Sequence, residues 1–427
     1  MPNKSKLWLK LDNAAKIYPA AMRKKWMAMV RFSMSLSEPV DVSVLQEAVK
    51  CLMPRFPSFS VRLRRGLFWF YLEHSDEVPE VQQDVYNPCV RMDLKHSKFL
   101  FRIRAYENRI AVETFHVLSD GTGSLCFIKT LVAEYLRLKY GAQIPRDSSI
   151  LDCTEAPKPE ELEDSFLKYA GPVSRDHREK DSYFIKGIPV PQDTVHITTG
   201  MIPIDILSQK AKEKKVSITE YLTGVMVMSI DAIQRRENKK QRRLKPVKVA
   251  VPVNLRAFFP SKTLRNFSYF INTGIEPHYG EYSFDDILNE VHHFIRLEAT
   301  KQKLQARIAF NVNSERNPVM RMVPLFLKNF VMRLVFNRVG DRKTSTTITN
   351  LGQVKLPEEM AKYVIRTDLI LGPLSRNRVV GAVISYQNTL YFTFTRTITD
   401  PYVEREFFRN LVKLGVPVKI ESNSQSY

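Results

Sequence analysis

The chain has 427 residues, 44% hydrophobic and 11% aromatic, with 65 Lys and Arg against 45 Asp and Glu, a formal charge of +20. That composition excludes a disordered chain, and the length exceeds one ordinary core, so two domains of roughly 200 residues each are expected. No apolar run approaches the ~20 residues of a membrane span; the nearest, 323–339, is broken by Lys328, Arg333 and Arg338.

In chain order, residues 8–20 are too apolar for a loose tail, and a strand is expected over 26–35. Asp41 is placed to cap a helix with Val44, Leu45, Ala48, Val49 and Leu52 at helical spacing, ended by Pro54 and Pro57. Two strands, 59–64 and 67–73, bracket a tight turn at Arg65-Gly66. Alternation over 99–106 predicts a strand, Glu107-Asn108 a turn, and 109–115 a second strand. A helix over 124–139 stops at Gly141. Prolines then punctuate a charged crossover over about 141–195. Beyond it the pattern gives a strand over 196–202 and helices from near Ile204 and Ser217. Strands over 247–253 and 267–275 and a helix over 284–304 follow. The apolar-basic helix over 319–338 reads as core packing, with a membrane-surface contact as the alternative. Strands over 344–350, 379–386 and 389–397 precede a last helix over 401–413, with Asp400 as its cap and proline at its first position. The domain division this suggests is 1–160, a crossover over 161–195, and 196–427.

The sharpest local pattern is His116-Val117-Leu118-Ser119-Asp120-Gly121, at the junction of a strand and a helix. A histidine at a strand end can be held at the mouth of a cleft. An aspartate four residues later can pin the turn through a salt bridge, and the glycine permits a backbone angle that other residues resist. This HxxxDG pattern resembles the signature of the chloramphenicol-acetyltransferase-like superfamily, which includes condensation domains, plant-type acyltransferases, wax-ester synthases and alcohol acetyltransferases. The helix and hairpin over 44–73 also resemble that superfamily's first helix and following hairpin. The resemblance implies an α/β (α+β) fold of two chloramphenicol-acetyltransferase-like domains with an active-site channel between them. It also implies His116 as general base and Asp120 as a shaper of the loop.

Three further segments resemble the superfamily in order. Residues 252–256 are similar to the plant-type segment whose arginine pairs with the motif aspartate, which makes Arg256 the expected partner of Asp120; a surface arginine after a strand is the other reading. Residues 267–273 look like the G-x-F-x-N-T stretch of condensation domains, with the glycine replaced; Asn272 then lines the channel, or simply ends a buried strand. Residues 347–352 resemble the S-N-x-G segment, with Thr349 in place of serine. Thr349 and Asn350 are then donors to a developing oxyanion, or close a strand in a turn. The second histidine of condensation domains is replaced by Phe115, and the plant-type DFGWG motif is absent. The pattern fits bacterial alcohol-acetyltransferase-like proteins better than either of those branches.

The implied activity is acyl transfer from a thioester, acyl-CoA or an acyl-carrier thioester as co-substrate, to an alcohol, with no bound cofactor and no metal. An amine acceptor with a carrier-protein donor and a catalytically silent basic binding protein stay open as alternatives. The charge suits coenzyme phosphates, an acyl-carrier protein or anionic lipid, and its densest run is 235–245. That run has no interleaved aromatics, so no nucleic acid is expected. Cys51, Cys89, Cys126 and Cys153 form no CxxC pair, and no apolar signal stretch follows Met1, so a monomeric, cytoplasmic protein with reduced thiols is expected.

Overall fold

The computed structural model describes residues 8–22, 27–94, 96–173, 179–316, 322–335, 342–372, 374 and 377–423. The first half supplies β1 (Trp8–Lys10), α1 (Ile17–Ala21), β2 (Met29–Leu36), α2 (Val42–Leu52), β3 (Val61–Arg65) and β4 (Phe70–His74). It continues with β5 (Val81–Gln83), β6 (Phe101–Tyr106), β7 (Arg109–Phe115) and α3 (Gly121–Tyr140). Asp41 caps α2 through the Ser43 and Val44 amides, and Gly141 ends α3 at φ 67°, a left-handed angle that glycine adopts without strain. Helices α2 and α3 pack on one face of β2, β7 and β6 over Phe32, Phe56, Phe59, Phe101 and Phe127.

The crossover contains a short helix, α4 (Ser165–Tyr169). After it come β8 (His196–Pro203), α5 (Ile204–Glu213), α6 (Ile218–Glu237), β9 (Val247–Asn254), β10 (Ser268–Ile275), α7 (Phe284–Glu298), α8 (Lys301–Arg316) and α9 (Leu325–Val335). The chain closes with β11 (Thr346–Val354), α10 (Glu358–Ala361), β12 (Val364–Leu371), β13 (Val379–Tyr386), β14 (Thr389–Arg396), α11 (Tyr402–Lys413) and β15 (Lys419–Ser422). Seven strands form one mixed sheet in the order β10-β9-β11-β13-β14-β8-β15, and five form another in the order β12-β2-β7-β6-β5. A second core lies between the seven-stranded sheet and α5, α6, α7 and α11.

Three expectations differ from the fold. Strand β12 escapes sequence reading because Arg366 and Asp368 interrupt its apolar run; here they pair with each other at 2.8 Å. It also runs antiparallel to β2, so a strand from beyond residue 196 completes the first half's sheet and crosses the division drawn from sequence. The helix expected over 284–304 is two helices: Ala299 turns out of helical geometry, and the Thr300 hydroxyl accepts from the Lys303 amide at 3.4 Å to start α8. Asp400 does not cap the last helix. Pro401 occupies the cap position without a side-chain bond, and Asp400 instead accepts from the Thr399 hydroxyl.

The polar face of β2 looks across at the second sheet. Between them lies a cavity of about 380 Å³ lined by Ser33, Thr199, Thr393 and the ion pairs of Arg31 with Asp84 and Arg366 with Asp368. His116, Asp120 and Arg256 are not among its walls.

Candidate active site

Strand β7 ends at Phe115, and the next residue, His116, is fixed by its own amide donating to the Ala28 carbonyl at 2.8 Å. The chain then turns into α3. Asp120 is the N-cap of that helix: its Oδ1 accepts from the Thr122 and Gly123 amides at 3.0 and 3.2 Å. Its Oδ2 accepts from Arg256 Nη1 at 2.7 Å and from the Phe267 amide at 2.8 Å. One buried carboxylate therefore joins the helix start to a loop in the other half of the chain.

That loop, 263–267, is stitched down on both sides of Asn266. Arg256 also donates to the Thr263 and Arg265 carbonyls at 2.7 and 2.8 Å, and the Ser119 hydroxyl donates to the Leu264 carbonyl at 2.6 Å. A Cβ at Gly123 would stand 2.1 Å from the Leu264 carbonyl oxygen, so the approach of helix and loop requires glycine there. The residue left facing His116 is Asn266, whose Oδ1 lies 2.8 Å from His116 Nδ1.

The orientation of the Asn266 amide follows from its other contact. Asn266 Nδ2 donates at 3.1 Å to Oδ2 of Asp12, a carboxylate that is fully buried and can only accept when ionised. The amide oxygen must therefore face the imidazole. An acceptor at Nδ1 holds the proton on Nδ1 and leaves the Nε2 lone pair available as a base. Tyr18 of α1 stacks on the imidazole with ring centroids 4.7 Å apart. Burial, then the charges of Asp12 and Asp120, push the Tyr18 hydroxyl well above its ordinary pKa, so it stays protonated.

Sequence reasoning named His116, Asp120 and Arg256, and the fold brings the three together. It missed Asn266, Asp12, Tyr18 and Gly123. The available signal for Asp12 was an acid inside the apolar opening segment; Asn266 stands directly before the strand singled out for Asn272. Gly121 has a different job from the one expected. It is the first residue of α3 with no left-handed angle, and its missing side chain makes room for Leu351, whose Cδ2 would lie 2.7 Å from a Cβ. That contact seats the 347–352 segment against the motif. In it, Asn350 is already engaged: its Nδ2 donates to the Thr219 hydroxyl at 2.9 Å and its Oδ1 accepts from Gly352 N at 2.8 Å. Thr349 is half-buried beside it. Asn272 lies six residues along from Asn266, buried, with its amide donating to Glu179 at 3.1 and 3.2 Å.

Electrostatics reach one residue farther. Asp164, the cap of α4, accepts from the Asn13 amide at 2.9 Å, and burial followed by the charge of Asp12 pushes its carboxyl up from 3.8 to about 6. Between those values the folded state holds the proton more tightly than the unfolded chain, so stability from this group falls as pH rises from about 4 to about 6. Asp164→Asn removes that dependence. The melting temperature of the variant relative to the native chain should rise between about pH 3.5 and about pH 7.5, which lie on either side of 3.8 and about 6, as read by thermal denaturation at both values. A difference that stays constant with pH refutes the assignment.

Residues 180–386 match the family model described as alcohol acetyltransferase. That match spans just under half of the chain. No curated protein matches it. Polyketide synthase associated protein 5 from Mycobacterium tuberculosis is similar over 95% of this chain and 97% of its own, with a TM-score of 0.60 and 14% identity. TRI101 of F. sporotrichioides, solved with coenzyme A and T-2, is similar over 94% and 96%, with a TM-score of 0.58 and 14% identity. The starter condensation domain of rhizomide synthetase, solved as a mutant with C8-CoA and Leu-SNAC, gives 96% and 94%, 0.60 and 12%. At such identities the likeness is one of fold. These structures align with nearly the whole chain, whereas the family match is confined to residues 180–386.

Proposed function

We propose that this acyltransferase moves an acyl group from acyl-coenzyme A to a hydroxyl acceptor by direct attack, with His116 as the general base. The observation that supports this best is the His116–Asn266–Asp12 chain, which leaves Nε2 as the basic nitrogen. Two relatives of the same fold were solved with coenzyme A or an acyl-CoA, which favours that donor.

The steps follow from the residues. Nε2 of His116 takes the proton of the acceptor hydroxyl as its oxygen attacks the thioester carbonyl. The imidazolium that forms is steadied at Nδ1 by the Asn266 oxygen. The Thr349 hydroxyl donates to the tetrahedral oxyanion, a task the Asn350 amide cannot share while it is bonded to Thr219. The carbon–sulfur bond breaks, and the proton on Nε2 passes to the departing thiolate. Both substrates occupy the site together, so no acyl-enzyme forms. Asp120 transfers no proton: its two oxygens are occupied by three amides and a guanidinium.

Free-thiol release from acyl-CoA donors against a panel of alcohols tests the reading. Alcohol-dependent release is expected. Turnover of a carrier-bound thioester, with none of any CoA donor, overturns the choice of donor.

The basic run over 235–245 divides in two. Arg235 pairs with Asp231 and Arg236 with Glu406, each at 2.8 Å, whereas Lys239, Lys240, Arg242 and Arg243 are exposed. If those four greet the donor's phosphates, neutralising them raises the donor KM, leaves the acceptor KM alone, and matters less as salt screens charges beyond about 8–10 Å. Unchanged donor kinetics at low salt would leave the run as a solvated loop.

A further inference from the structure

Helix α9 is packed inside out. Its one described charged side chain, Lys328, is buried, with Nζ 3.4 Å over the Trp69 ring and 3.2 Å from the Phe68 carbonyl. Phe326 and Phe330, one turn apart, are 60% and 63% exposed, and Leu327 and Val331 beside them are exposed too. Core packing, the expectation for this segment, is therefore reversed on its outer face. An aqueous surface offers no reason to bury a lysine and display two phenylalanines on the same two turns.

The apolar face continues onto the β3–β4 hairpin. The Leu325 amide donates to the Leu67 carbonyl at 2.9 Å, and Leu67, at the hairpin tip, is 72% exposed. Met322, just before the helix, is 78% exposed. Arg65 leads into the tip beside Arg64, which pairs with Glu73 at 2.7 Å, and Lys10 is exposed on the adjacent β1, which pairs with β4. From Met322 to Val335 the sequence holds no acidic residue, and the whole chain carries +20. The face also adjoins the candidate site: α9 packs against α1, whose Tyr18 stacks on His116.

We propose that this face docks on an anionic lipid surface, with Phe326, Phe330 and Leu67 inserted among the lipids and the basic rim held by their headgroups. Apolar insertion plus basic attraction is the chemistry of interfacial binding, and each part is present here on one side of the molecule. A second step rests on the acyl-transfer reading above: the substrate that reaches His116 past α1 is a lipophilic one, taken from the membrane. A protein partner would need acidic complementarity to the rim and would leave vesicles unbound.

Co-sedimentation of the full chain with vesicles of phosphatidylcholine, with and without phosphatidylglycerol, tests the docking without any turnover. Binding is expected to the anionic vesicles, to weaken with salt, and to fall at least about tenfold in the Phe326→Ser, Phe330→Ser double variant, since two aromatic side chains no longer leave water. Circular dichroism and thiol release with a water-soluble alcohol, both without vesicles, should match the native chain, because neither residue touches the site. Absence of binding to anionic vesicles at low salt overturns the proposal, as does a double variant that binds like the native chain. Sedimentation velocity showing a dimer that the double variant dissolves, with no vesicle binding, would assign the face to a second copy instead. Vesicle binding without thiol release would fail the acyl-transfer reading alone.

Discussion

His116→Ala should lower kcat by roughly 10²–10⁴-fold, the range spanned by general-base catalysis, while the protein keeps its fold. At 1.36 kcal/mol per decade that is about 3–5 kcal/mol of transition-state stabilisation. The fold should tolerate the change because the imidazole is only half-buried and its backbone, not its ring, holds the end of β7 through the Ala28 carbonyl. What the variant loses is one stack on Tyr18 and one hydrogen bond to Asn266. Steady-state kinetics with a saturating acceptor, beside a thermal melt, decide the matter. A folded His116→Ala protein with near-native kcat removes the base from the mechanism. Asn266→Ala supplies the finer reading: the ring stays, but Nδ1 loses its acceptor and the tautomer is no longer held. A smaller loss in kcat than for His116→Ala is expected, with little change in KM.

What could be read from sequence was what is local. The strand, the histidine at its end, the aspartate and the helix behind it occupy adjacent residues, so periodicity and cap chemistry expose them. Arg256 was legible only through resemblance, because its partner Asp120 lies 136 residues away. Asn266 and Asp12 carried no such mark. Their function consists of contacts at separations of 150 and 254 residues, and an asparagine before a strand looks the same whether or not an imidazole stands opposite it. The β12 strand was hidden for another reason: alternation predicts burial of apolar side chains, whereas Arg366 and Asp368 are accommodated by pairing. Helix α9 misled because composition says how apolar a helix is and not which way its apolar face points.

The Asp120–Arg256 pair should be strongly coupled. Asp120 is 4% exposed, and Arg256 is held by two carbonyls as well as by that carboxylate. Removing either partner strands the other: breaking a buried pair costs about 3–5 kcal/mol, and Asp120→Ala loses a helix cap worth about 0.5–2 kcal/mol besides. Either change also frees loop 263–267, so Asn266 no longer meets His116 and kcat falls with stability. Since both single variants release the same loop, Asp120→Ala with Arg256→Ala together should lose little more than the worse of the two. A coupling of about 0.5–3 kcal/mol is expected for residues in contact. Asp120→Asn separates charge from geometry: an amide oxygen can still accept from the Thr122 and Gly123 amides, so the helix start should survive while the grip on the guanidinium weakens. Melting temperatures and kcat of the four proteins in the cycle test this directly. Losses that simply add would mean that helix cap and loop are held independently, and that Asp120 does not position Asn266.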